Sequence, residues 1–214
     1  MTSLQVVVSR IRAIPLIGGI VVLSSIVSAC AGSPRESAIP YIPEALGPYT
    51  WSISTSSEKA QEYFDQGMQL RYGYSMSEAA RSMVEARTID PNCAICFWGE
   101  AFALGSFLNQ PMTEENAPLA HAAINKAAAL KDRASAVEAA LIDAAVVRYP
   151  AKYDPEDRRN VDQAFASAMA EVYAQFPDHT EVTTVYSIAL FLLEERRGYR
   201  DLTDPSLQKL HGLL

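Results

Sequence analysis

The feature that most constrains the fold of this 214-residue chain is a self-similarity at a spacing of about 34 residues. Tyr63, Gly67 and Leu70 are matched in type by Phe97, Ala101 and Leu104. Steps of four and three place each trio on one helix face. Ala79, Met83, Ala86 and Pro91 follow the first trio. A unit that cannot bury its apolar face alone stacks on neighbours of the same kind. The periodicity predicts helices over 57–72, 75–89, 92–108, 115–130, 134–148, 157–175, 180–195 and 205–213. Pro91, Pro118, Pro155 and Pro205 suit first turns. Sustained period-two alternation is missing, so the sequence requires no strands.

The order of residues resembles the tetratricopeptide repeat. Gly67 and Ala79 fall where small residues let two antiparallel helices touch, and Met83 stands for the large apolar knob between them. Pro91 closes the unit after Ile89-Asp90, while Gln66 departs from the usual Leu. The second unit slips by about seven residues in its second helix. Ala120, Ile124 and Ala127 carry its pattern, behind an enlarged loop from Asn109 to Asn116. A weaker third pair runs Ala134–Arg148 and Val161–Gln175 and ends in Phe176-Pro177-Asp178. A fourth begins at Glu181 without a good partner.

The phrases Tyr63-Phe64-Asp65-Gln66-Gly67, Asp90-Pro91-Asn92-Cys93 and Phe97-Trp98-Gly99 also resemble a family of large, secreted, uncharacterised bacterial repeat proteins. Such chains usually carry further repeats. Leu214 falls in an amphipathic segment, so more repeats or another molecule are expected to cover that end. The resemblance implies an all-α domain over 57–214, with antiparallel helix pairs stacked as a short right-handed superhelix. Its concave surface, lined by the first helix of each pair, would take a peptide or protein segment. Gln66, Arg71, Glu100 and Asn109 are the expected groove positions, with Trp98 turned toward the groove.

The first 29 residues differ from the rest. They hold no Asp or Glu, and Arg10 and Arg12 are their only charges. The apolar stretch Ala13–Val27 contains Pro15 and is short for a membrane span. A positive start, an apolar run and small residues before a cut make a secretory signal. Val27-Ser28-Ala29-Cys30 resembles the lipobox of bacterial lipoproteins. That resemblance implies cleavage before Cys30 and lipidation of its thiol and new amine. Several acyl chains suffice for stable anchoring. Ala31 in place of Asp favours the outer membrane, facing the periplasm, if the cell has two membranes. Residues 30–56 carry Pro34, Pro40, Pro43 and Pro48 and read as a tether. Tyr41, Ile42, Tyr49, Trp51 and Ile53 are too apolar for a pure linker, so part of this arm is expected to pack on the body.

A net charge of -7 argues against nucleic acid, whose phosphates require clustered Lys and Arg. With 49% hydrophobic and 20% charged residues, the chain is neither disordered nor polytopic. Cys93-Ala94-Ile95-Cys96 is the sharpest local motif. Haem attachment needs His where Phe97 stands. Zinc needs four ligands, and His121, His179 and His211 are scattered. A structural thiol pair, oxidised or simply packed, is the first reading, and a labile disulfide the second. Phe97, Trp98, Phe102 and Phe107 read as core before ligand platform, and Glu58, Glu62 and Asp65 as a solvated helix face. No Ser-His-Asp order, phosphate loop or His-Glu-x-x-His appears. The sequence therefore nominates no catalytic residue, cofactor or metal. It points to a membrane-tethered interaction scaffold of the cell envelope, binding an envelope protein or peptide. A thiol redox protein using Cys93 and Cys96, or a small-molecule binding module, are the alternatives.

Overall fold

Helix starts are set by local chemistry. The computed structural model describes residues 39–194 and 201–213; Cys30 and the signal-like segment lie outside them. Ser57 accepts a hydrogen bond from the Ala60 N–H at 3.2 Å and opens α1, Glu58–Tyr72. Such a cap satisfies one of the free N–H groups at a helix start. The turn at 73–75 folds the chain back into α2, Met76–Ile89. Tyr74 takes φ 66 there, the left-handed conformation that lets the turn reverse, and its ring rests on Phe107 at 5.0 Å. Next come α3, Ala94–Leu104, and α4, Asn116–Ala129. A capping box of Ser135 and Glu138 starts α5, Ala136–Val146. The chain continues through α6, Arg158–Gln175, and α7, Thr180–Phe191, to α8, Pro205–His211. Pro205 is the first residue of α8 and Pro118 lies in the first turn of α4, whereas Pro91 and Pro155 stand in the turns before α3 and α6.

The fold is all-α. Consecutive helices from α1 to α8 pack on one another, and α1 also meets α3. Met83 of α2 fits between two glycines. A Cβ on Gly67 of α1 would lie 2.7 Å from Met83 Cε, and one on Gly99 of α3 would lie 2.5 Å from Met83 Sδ. The missing side chains let three helices close on one buried thioether. Gly67 does what its place in the pattern predicts, while the equal part played by Gly99 is new. α3 is buried from Ala94 to Ala103, as a helix apolar all round must be. Ala120, Ile124 and Ala127 of α4 are fully buried, on the helix that packs against α3. Farther along, Phe165, Met169 and Val172 of α6 and Val182, Val185 and Ala189 of α7 belong to the same core.

Two helices end four residues short of expectation. α3 stops at Leu104, before the predicted 108, because Gly105 is extended and Phe107 and Gln110 exchange two backbone hydrogen bonds in a tight turn. α7 ends at Phe191, before 195.

Candidate functional site

The arm before α1 is built into the fold. Gln66 of α1 accepts from the Ile42 N–H at 3.0 Å and donates to Pro40 O at 3.1 Å. It also donates to Ser82 Oγ of α2 at 3.1 Å. Asp65 accepts from the Trp51 N–H at 3.0 Å and from the Thr50 hydroxyl at 2.7 Å. Gln61, one turn earlier, accepts from the Ile53 N–H at 3.0 Å and donates to Trp51 O at 2.7 Å. Tyr63 donates to Ile39 O at 3.2 Å. Side chains of α1 thus hold the arm largely by its backbone. Burial pushes the Asp65 carboxyl pKa up, while the bonds from Trp51, Thr50 and Gln61 pull it back part of the way.

Trp51 anchors this segment. Its ring lies 5.4 Å from Phe64 of α1, 5.9 Å from Trp98 of α3 and 6.0 Å from His179 at the start of α7. One arm residue therefore touches three helices that each begin a pair. Beyond it, the Ser54 N–H donates to Glu138 of α5 at 2.7 Å, and the Thr55 hydroxyl to Asp90 at 2.6 Å. Tyr72 of α1 donates to Glu181 of α7 at 2.6 Å. Burial, then the charge of Glu181, raises the Tyr72 pKa well above the ordinary value, so it remains a donor.

This placement corrects the predicted groove. Gln66 is fully buried and its ligand is the chain's own arm. Trp98 is buried as well, stacked on Phe102 at 4.9 Å and edged by Trp51, which leaves no ring face for a ligand platform. Arg71 is fully buried and caps the end of α3, donating to Phe102 O at 3.0 Å and Ser106 O at 3.1 Å. Glu100 is buried against Arg87 in a two-point ion pair. Asn109 alone is exposed, in the turn after α3, and it is not brought together with the other four. Asp65, read as part of a solvated face, is instead an anchor for the arm.

Cys93 and Cys96 form a disulfide with Cα atoms 5.4 Å apart, and both residues are fully buried. Thiol–disulfide exchange requires access of an attacking thiolate, and the packing around α3 denies it. Among the described residues, no group of His, Cys, Asp and Glu could hold a metal ion, and no helix is long and apolar enough to cross a membrane.

Another concave surface borders α7 among the described residues. A groove of about 660 Å³ runs along α7, floored by Thr180, Thr183, Thr184, Ser187, Ile188 and Phe191. These positions form one helix face. Leu202, Leu207, Leu210 and Leu213 wall one side, and Leu108 from the α3–α4 turn also borders it. Sequence reasoning missed this site. Its signal was the stripe of Thr and Ser beside Ile188 and Phe191, in the helix that lacked a good partner. Compared with family models, curated proteins and solved structures, the chain matches none.

Proposed function

We propose that the chain is a lipid-anchored, helical-repeat interaction module of a bacterial cell envelope, and that its partner surface is the groove along α7. The observation that carries this reading is the contrast between a first helix covered by the chain's own arm and an α7 face that borders a groove among the described residues. The arm supports the general idea that such helix faces receive polypeptide. The expected occupant of the α7 groove is an amphipathic helix of a partner protein. α8 already lies against α7 in that manner, through buried Leu207 and Leu210, and it is a shorter helix than α7. A partner helix would extend the same packing over Thr180–Thr184, with its apolar positions toward Leu108 and Leu202. The signal-like segment ending at Cys30 and the proline-bearing residues after it support export and anchoring. The packed helix pairs, with Met83 between Gly67 and Gly99, support tetratricopeptide-like stacking.

Crosslinking in the native envelope, followed by identification of what co-purifies, tests the reading, with Cys30→Ser as the untethered control. One recurrent envelope protein, lost on changing Thr184 to a bulky charged residue, is the expected result. A preparation that remains folded and membrane-bound yet captures nothing reproducibly contradicts it.

A further inference from the structure

Ser187 is the anomaly among the residues that border the groove along α7. It is 7% exposed, and its hydroxyl has no hydrogen-bond partner. Ser and Thr inside helices commonly turn the hydroxyl back to the carbonyl one turn earlier. Two neighbours do so: Thr183 donates to His179 O at 3.3 Å and Thr184 to Thr180 O at 2.9 Å. Ser187 leaves that bond unmade. A buried hydroxyl without a partner is costly, and an alanine would fill the same place without the cost.

The space beside it is largely apolar. Ile188 and Phe191 of α7 and Leu207 and Leu210 of α8 border the same groove. Its volume, about 660 Å³, falls among those of sites that take small molecules, about 300–1,000 Å³. No Lys or Arg borders it among the described residues. Its one carboxylate, Asp178, and its one imidazole, His211, are both exposed, where water screens their charge. An anionic head group therefore finds no fixed cation there. Thr183 and Thr184 have spent their protons on their own helix and keep only lone pairs to offer. The proton of Ser187 is unspent. Rotation about χ1 to another staggered position can present it to the groove, and breaks no hydrogen bond because it makes none.

We propose that the inner part of this groove, beside Ser187, binds an uncharged aliphatic molecule with a single carbonyl, an ester or a ketone. The carbonyl oxygen accepts the Ser187 proton, and the chain lies among Ile188, Phe191 and the leucines of α8. An alkane of the same length leaves the hydroxyl unpaired, and a carboxylate loses its water for no counter-charge. This place is distinct from the rim over Thr180–Thr184 that a partner helix would cover. The ligand therefore does not depend on that partner, and the loss of either reading leaves the other standing.

The test is photolabelling of membranes that carry the full-length protein, using a diazirine-bearing analogue of methyl decanoate. Saturable labelling of peptides from 177–191 or 202–213 is expected. Unlabelled methyl decanoate should compete with a midpoint about tenfold below that of undecane or of decanoate, the worth of one hydrogen bond in an apolar site. Ser187→Ala should raise the methyl decanoate midpoint about tenfold and leave that of undecane unchanged. If the variant does not fold, the ranking of the three competitors on the parent protein decides alone. Labelling that does not saturate or maps elsewhere overturns the proposal. So does equal competition by all three compounds, or a methyl decanoate midpoint that a folded Ser187→Ala variant leaves unchanged.

Discussion

α1 and α7 each begin a helix pair, yet their outer faces have opposite fates. On α1, Gln61, Asp65 and Gln66 are spent on the backbone of residues 40–53, and Trp51 seals the space between Phe64, Trp98 and His179. On α7, Thr180, Thr183 and Thr184 border a groove whose far wall, among the described residues, is formed by Leu207 and Leu210 of α8. Polar side chains on a helix therefore have two placements in this molecule: they grip a segment already present, or they rim a groove. Sequence position does not distinguish the two. What distinguishes them is whether an apolar segment with free backbone groups lies close enough in the chain to fold back.

The comparison is easiest to break at Trp51. Trp51→Ala removes a buried ring from three contacts and is expected to cost about 3–5 kcal/mol in urea unfolding. It should also expose the α1 face, which protease cleavage within 40–55 would reveal. If cleavage there stays as slow as in the parent, the arm is held by its hydrogen bonds alone.

Packing beneath the covered face is tested by Gly99→Val, which drives a side chain into Met83 and Phe64. A loss of about 1–3 kcal/mol is expected, with part of it returned by adding Met83→Ala. Strict additivity of the two changes would mean that they do not meet.

Gln66→Leu sharpens the contrast, because it restores the apolar residue usual in the repeat pattern. It strips partners from the Ile42 N–H, Pro40 O and Ser82 Oγ, for an expected cost of about 1–2 kcal/mol. Amide exchange at Ile42 should accelerate while that at Trp51 changes less. The smallest effect is expected on the open side. Leu202 is 68% exposed, so Leu202→Ser should alter stability by no more than about 0.5 kcal/mol. Partner capture should nevertheless fall. A variant that is both fully stable and fully competent in capture would remove Leu202 from the binding surface.

The helices were legible because apolar spacing and caps act locally. Each α-helix lies within the predicted limits, and the early end of α3 has local causes in Gly105 and the 107–110 turn. Gly67, Met83 and Ala79 were legible as a set because close helix packing leaves few choices of side chain. Groove residues were not legible. Gln66, Arg71, Trp98 and Glu100 sit where a bare repeat would expose them, but the arm, Phe102, Ser106 and Arg87 cover them. The clue was split across the sequence: Gln66 in place of Leu, and Tyr41, Ile42, Tyr49, Trp51 and Ile53 in a segment otherwise suited to a tether. Neither half is informative without the contact that joins them. Burial of the Cys93–Cys96 disulfide was equally out of reach, since it depends on α3 being enclosed on all sides.

The most direct test of the account places a photo-crosslinking residue at Thr184 and, separately, at Gln69, whose amide lies beside Gly47 of the arm. Irradiation in the native envelope should give an intermolecular adduct from position 184. From position 69 it should give only crosslinks within the chain, to the arm. A partner adduct from position 69, with none from 184, would contradict the account. It would mean that the arm leaves α1 in the cell and that the covered face is the working one.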